Sequence, residues 1–182
     1  KICEEILRDT AATGTLNVLS LRYFNPIGAH PTSIIGEFQD GEPHHLVPYI
    51  TETAIGKRKE LKVFGSDYIT RDGSCIRDYV HVIDVAKAHI LAVQHLIDGK
   101  TNGYDIINLG SGNGSTVLEM INTFERATGI SIPYSLAPRR AGDVPAVYAN
   151  IGKAQRVLNW NPEKSLEDML RDAWNFEQSL TQ

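Results

Sequence analysis

Leu21-Arg22-Tyr23-Phe24-Asn25-Pro26-Ile27-Gly28-Ala29-His30 opens as a strand and then breaks. Residues 16–24 are rich in branched and aromatic side chains, the pattern of a strand covered on both faces. Asn25-Pro26 is expected to stop it, because proline has no N–H for a ladder and steers the residue before it away from the helical region. Gly28 follows at once and leaves room for close backbone approach or positive φ. Ligands of open α/β sheets bind beyond the carboxyl ends of strands, which is where Asn25 falls. A plain strand-to-turn junction with an Asx cap fits the same residues, and the stretch alone leaves both readings open.

Outward from this stretch, strands and helices alternate. Ile2, Cys3, Ile6 and Leu7 fall at helical spacing, with Gly14 as the stop. Residues 25–45 form a loop too long for a mere connector. A helix is expected from about Leu46 to Lys57, with Pro48 in its first turn and Lys57-Arg58-Lys59 complementing its dipole. Leu61 to Phe64 and Tyr79 to Val82 are short strands, and Asp84 is the expected N-cap of a helix reaching about Ile97. Tyr104 to Leu109 is a strand. Thr116-x-x-Glu119 is a capping box, and Gly129 ends its helix. A short strand follows over 132–136, and Asn150 caps a helix ending near Trp160. Ser165-x-x-Asp168 opens the last helix, whose core stripe is Leu166, Met169, Leu170, Ala173 and Trp174. The alternation predicts an α/β fold with a partly parallel sheet.

The 182 residues are 42% apolar and 22% charged, an ordinary globular composition. A net charge of −4 argues against broad electrostatic binding to nucleic acid or an anionic membrane. No run reaches the length of a membrane span, and nothing at the start reads as a signal peptide. Cys3 and Cys75 make neither a disulfide framework nor a metal spacing, so a reducing cytoplasm is the expectation. The first residues, Lys1-Ile2-Cys3, lack a Met and are already helical in pattern, which reads as the latter part of a longer protein.

Gly110-Ser111-Gly112-Asn113-Gly114 follows a strand and precedes a helix, but Ser115 stands where a G-x-G-x-x-G fingerprint needs glycine. It is either a backbone phosphate cradle or a plain βα turn. Arg77-Asp78 and Arg139-Arg140-x-Gly142-Asp143 sit at loop edges. They suit a diphosphate clamp with a carboxylate for a sugar hydroxyl, or a surface ion pair at each place. His44-His45, with His30 and Glu37, matches no zinc spacing, and no metal is expected. There is no G-x-S-x-G and no aromatic–basic interleaving.

Together, Arg22-Tyr23-Phe24-Asn25-Pro26-x-Gly28-Ala29-His30, Leu46-Val47-Pro48-Tyr49, Val63-Phe64-Gly65, Arg77-Asp78-Tyr79-Val80-His81-Val82-x-Asp84, Asn108-Leu109-Gly110 and Arg139-Arg140-x-Gly142-Asp143 resemble the UDP-glucose (UDP-galactose) 4-epimerases. These are extended short-chain dehydrogenases/reductases, and the resemblance covers essentially the whole chain. It implies the C-terminal part of such an enzyme, with residues 1–26 as the tail of an NAD-binding Rossmann domain. Residues 27–182 would be a smaller mixed α/β domain that binds the UDP-sugar. The activity implied is reversible inversion at C4 of UDP-galactose in galactose metabolism, by transient NAD-dependent oxidation to a 4-keto sugar. The resemblance also implies a cytoplasmic homodimer that associates through the helix containing Lys1, with no nucleic-acid or membrane partner.

Residue by residue, the resemblance makes Lys1 the catalytic lysine, with the tyrosine of its Tyr-x-x-x-Lys pair upstream of these residues. Such a lysine's charge favours a phenolate whose pKa is about 10 when unperturbed. Lys1, Tyr23 and Pro26 fall on the cofactor side. Asn25 and His45 reach the diphosphate region, and Leu46 lines the nucleotide site. Lys62, Val63 and Phe64 border the uracil. Arg77 and Arg140 neutralise the diphosphate, and Asp143 accepts from the uridine ribose. Two departures stand out. His44-His45-Leu46 replaces the family's Asn-Asn-Leu, and Val147 occupies a position that limits pocket volume, which predicts space for an N-acetyl group at C2. The alternatives are an NAD-dependent sugar-nucleotide dehydratase or decarboxylase, and a UDP-sugar-binding piece without catalysis; residues 1–182 alone are expected to be inactive.

Overall fold

The computed structural model describes residues 1–38 and 41–180, so positions 39–40 of the long loop lie outside the described residues. The chain runs α1 (Ile2–Ala12), β1 (Val18–Tyr23), β2 (Asn25–Ile27), α2 (Leu46–Ala54), β3 (Leu61–Phe64), β4 (Ile76–Arg77), β5 (Tyr79–His81), α3 (Val82–Ile97), β6 (Tyr104–Leu109), β7 (Ser115–Thr116), α4 (Val117–Thr128), β8 (Tyr134–Ala137), β9 (Ala146–Val147), α5 (Gly152–Leu158) and α6 (Leu166–Ser179). β1 pairs parallel with β6, β2 with β5, and β3 with β8. The short β4 lies between β7, antiparallel, and β9, parallel.

The break at Asn25-Pro26 is a change of partner, not an end. The Phe24 N–H donates to Leu109 O at 3.1 Å, the last bond to β6, and the Asn25 N–H donates to Asp78 O at 3.1 Å, the first towards β5. Pro26 sits inside β2 opposite Val80. A parallel pair uses the N–H of alternate residues, so the group proline lacks is one that faces away from β5.

Two apolar cores flank this step. Ile27, Val47, Ile50, Leu61, Val63, Tyr79, Phe124, Leu170 and Trp174 belong to one. Val80, Val85, Ala88, Ile107, Leu109, Ala154 and Trp160 belong to the other, with Leu19 and Leu21 packed on it. Successive residues of β5, Tyr79 and Val80, serve different cores because strand side chains alternate in direction.

Both capping boxes form, Thr116 with Glu119 and Ser165 with Asp168, and Gly129 closes α4 in the left-handed region. The α6 stripe packs as its spacing predicts, with Trp174 edge-on to Phe124 at 5.8 Å. Other expectations are corrected. The N-cap of α3 is His81, whose Nδ1 accepts from the Ile83 N–H at 3.0 Å. Asp84 instead takes the N–H groups of Glu163 and Lys164, both at 3.0 Å, and so ties α3 to the chain leaving Trp160. α2 ends at Ala54, so Lys57-Arg58-Lys59 lies beyond its last turn. Lys57 pairs with Glu177 and Arg58 with Glu52. The N-cap of α5 is Ile151, with Asn150 Oδ1 accepting from Gly152 N. β4, β7 and β9, two residues each, had no sequence signal.

Candidate functional site

A cleft of about 820 Å³ opens beyond β2 and β5, within the size range of small-molecule sites. Asn25, Pro26 and Ile27 form one wall, and Glu37, Glu42, His44, His45 and Leu46 another. Lys62 and Phe64 come from β3, Arg77 from β4, and Arg140 and Asp143 from the segment after β8. Asn25, Pro26, His45, Leu46, Lys62, Phe64, Arg77, Arg140 and Asp143, singled out from sequence, thus converge from segments far apart in the chain.

Asp143 is bracketed by two guanidinium groups. Arg77 Nη2 donates to its Oδ1 and Arg140 Nε to its Oδ2, each at 3.2 Å. Arg77 is further fixed by donating from Nη1 to the carbonyls of Ile76 and Val144, at 2.8 and 2.9 Å. Arg140 also lies over the Phe64 ring, 4.8 Å from its centroid. Two cations against one carboxylate leave a local positive excess, which suits a ligand carrying negative charge. Asn25 donates from Nδ2 to Asp78 O at 2.8 Å, so the side chain and backbone of Asn25 dock on the same carbonyl.

Arg58 was read from sequence as a helix-dipole charge, and the structure makes it part of the cleft wall. Its guanidinium sits 4.5 Å from the Tyr49 ring centroid and is held by Glu52 and, at 3.7 Å, Glu42. Tyr49 donates to Glu42 at 3.2 Å; burial foremost, then Glu42, raises its phenol above the ordinary range. Tyr79, under the cleft, is pushed up to about 12 by burial. Cys75 and Val117 also line the cleft, and neither was singled out from sequence as a ligand-site residue.

Four sequence candidates lie elsewhere. Val63 is fully buried in the core beneath the cleft. Val147 pairs in register with Arg77 and is outside the lining. Tyr23 ends β1 with its ring half exposed, 6.1 Å from the His89 ring. Lys1 is the exposed N-cap residue of α1. Among the described residues no three His, Cys, Asp or Glu side chains gather as a metal site.

Residues 2–110 match the family model of the NAD dependent epimerase/dehydratase family. The chain belongs to that family. It is 48% identical over 174 residues to UDP-glucose 4-epimerase 2 of Arabidopsis thaliana, covering 95% of this chain and 49% of that protein. To the UDP-glucose 4-epimerase of Bacillus subtilis it is 45% identical over 177 residues, covering 97% and 52%. The chain therefore spans about half the length of the curated relatives it matches. The crystal structure of UDP-glucose-4-epimerase from Stenotrophomonas maltophila, with bound NAD and formylated UDP-arabinopyranose, superposes with a TM-score of 0.95 at 45% identity. It is matched over 99% of this chain and 53% of that one. The enzyme from Bifidobacterium longum in complex with NAD+ and UDP gives 0.89 at 42% identity, over 97% and 52%. The mixed α/β architecture is thus that of part of a Rossmann-type epimerase.

Proposed function

We propose that this chain is the UDP-sugar-binding part of an NAD-dependent UDP-glucose 4-epimerase acting in galactose metabolism. The observation that carries the reading is the convergence of Arg77, Arg140 and Asp143 with Asn25, His45, Leu46, Lys62 and Phe64 on one cleft. In this reading the two guanidinium groups take the diphosphate, Asp143 turns to the uridine ribose, and the base lies against Phe64 where Arg140 now rests. Fixed forks suit a dianion better than mobile ammonium groups.

The domain division belongs to the same proposal. Residues 1–26 are the tail of the NAD-binding domain and residues 27–182 the UDP-sugar domain, with β6, α3 and α5 of the latter stretch packing on the NAD-binding side against β1, apart from the core that holds β3 and α6. Bound NAD supplies a hydride acceptor and donor. The residues fit it on the nicotinamide side only: Tyr23 offers a half-exposed ring at the carboxyl end of β1. The glycine-rich loop does not fit a cofactor phosphate, since its N–H groups already hold Asp78. Lys1 is proposed to favour the phenolate of the upstream tyrosine by its positive charge, and Pro26 to border the cofactor. Ile2 and Ile6, exposed on α1, support a homodimer built on that helix. Cytoplasmic placement is proposed alongside the fact that no helix among the described residues is long and apolar enough to cross a membrane.

Calorimetric titration of the purified chain tests the reading. UDP and UDP-glucose are expected to bind and ADP to bind far more weakly, with no conversion of UDP-galactose by these residues alone. Equal affinity for ADP and UDP would sink the uridine assignment, and turnover of UDP-galactose by the 182 residues would overturn the division of labour. UDP-glucose formed from UDP-galactose by the enzyme containing this chain would exclude a dehydratase or decarboxylase.

A further inference from the structure

Asp78 is fully buried, yet its carboxylate is surrounded by donors alone. Oδ1 accepts from the Ser111 N–H and the Ser111 hydroxyl, both at 2.6 Å. Oδ2 accepts from the Gly112 N–H at 3.0 Å and the Ala149 N–H at 2.9 Å. Backbone N–H groups converging on one anion from a glycine-rich loop are the elements of a phosphate nest, here filled by the chain's own side chain. The fit is close: a Cβ on Gly110 would lie 2.4 Å from Asp78 Oδ2.

The rest of the residue reaches the cleft. Its carbonyl receives both Asn25 donors, at 3.1 and 2.8 Å. Its neighbour is Arg77, and it is the single residue between β4 and β5. The segment it holds through Ala149 also carries Val144, whose carbonyl takes Arg77 Nη1. Asn25, Arg77 and the strand beside Asp143 are therefore all referred to one carboxylate.

We infer that Asp78 is an internal anion seated in a backbone-amide socket and that it is the positioning residue for Asn25 and Arg77 at the diphosphate end of the cleft. It does not touch the ligand, and it acts by fixing the relative placement of the groups that do. The inference rests on the UDP-sugar reading for its ligand, while the socket rests on the geometry alone. Asparagine is no substitute, because its NH2 group would meet N–H donors on either side.

Asp78→Ala empties the socket and leaves its N–H donors in place, so a free carboxylate of matching size is expected to refill it. The experiment compares sodium formate with sodium chloride at equal ionic strength, reading both thermal midpoint and UDP-glucose affinity by calorimetry. Asp78→Ala is expected to lower the midpoint and weaken UDP-glucose binding by about tenfold or more. Formate, and not chloride, is expected to recover most of both losses. Recovery of the midpoint without recovery of affinity would overturn the positioning role and leave a structural prop. Recovery of neither would overturn the socket.

Ser111→Ala removes one donor while leaving the backbone intact. It is expected to weaken UDP-glucose binding by about threefold with little change in midpoint. It decides the matter if Asp78→Ala does not fold: unchanged affinity in Ser111→Ala overturns the inference. Wild-type chain that fails to bind UDP-glucose, with formate still raising the Asp78→Ala midpoint, would sink the substrate reading and the positioning role while leaving the socket standing.

Discussion

Gly28→Ala should destabilise the fold well beyond a typical surface substitution, and the structure gives the size of the effect. Gly28 has φ +87°, a conformation costing an alanine about 1 kcal/mol. The added Cβ would lie 2.8 Å from Nε2 of His81. That ring has nowhere to go. It is fully buried, its Nδ1 accepts from the Ile83 N–H, and its Nε2 lies 3.2 Å from Asp172. Overpacking against so constrained a group costs about 1–3 kcal/mol, giving about 2–4 kcal/mol in all. At about 2–4 °C per kcal/mol for a chain of this length, the thermal midpoint should fall by about 4–16 °C. Denaturant melts of the single variants and of Gly28→Ala/His81→Ala separate the two contributions. With the ring removed, Gly28→Ala should cost only its backbone part, leaving a coupling of about 1–3 kcal/mol. An equal cost in both backgrounds would refute the contact, and a cost below about 1 kcal/mol in wild type would refute both halves of the reasoning.

Two further outcomes follow from the same geometry. Arg77→Met should weaken UDP-glucose binding by about ten- to a hundredfold in calorimetry, and Arg77→Lys should recover only part of it, because an ammonium cannot reproduce the fork that reaches Asp143 and Val144; a lysine variant equal to wild type would mean that charge alone suffices. Burial pushes the His81 imidazole below its ordinary 6.5, with Asp172 opposing; the unfolded chain then binds the extra proton as pH falls below about 6.5, so stability is lost on acidification. Thermal midpoints from neutral pH towards pH 5 should fall more steeply in wild type than in His81→Gln, and parallel slopes would count against that assignment.

Much of the fold is legible because it is local. The capping boxes at Thr116 and Ser165 and the stripe from Leu166 to Trp174 depend on neighbours within a turn or two. Where the reading failed, the deciding partner was remote. Asp84 looked like a cap because carboxylates usually cap, but β5 runs straight into α3 and puts His81 at the cap, freeing Asp84 for amides 79 and 80 residues away. Lys57-Arg58-Lys59 looked like dipole charges until the helix stopped at Ala54 and each of the first two found a carboxylate. The glycine-rich loop was ambiguous between a phosphate cradle and a turn; it is a cradle whose anion lies 33 residues earlier, at Asp78. The cleft's motif residues, Tyr49 among them, were visible as motifs, whereas Arg58 and Glu42 became part of it only through a network around that ring that no spacing announces.

The opening stretch matters because a single peptide step carries the register between the two cores. Up to Phe24 the chain is bonded to β6 and packs with α3 and α5; from Asn25 it is bonded to the β4–β5 junction and leads to Ile27 in the other core. Tyr23, on the side proposed for the cofactor, and Asn25, on the substrate side, are two residues apart on this one line. Their separation is set by strand geometry, about 3.3 Å per residue, and not by how two independently folded bodies dock. Pro26 keeps that line from pairing on its other side, and Gly28 lets it turn away under His81. Tyr23 at the end of β1 and Asn25 at the start of β2, joined through Phe24 alone, keep their spacing through breathing of either core; in the proposed reading, with a nicotinamide on one side and a sugar on the other, the alignment that hydride exchange requires rests on that spacing.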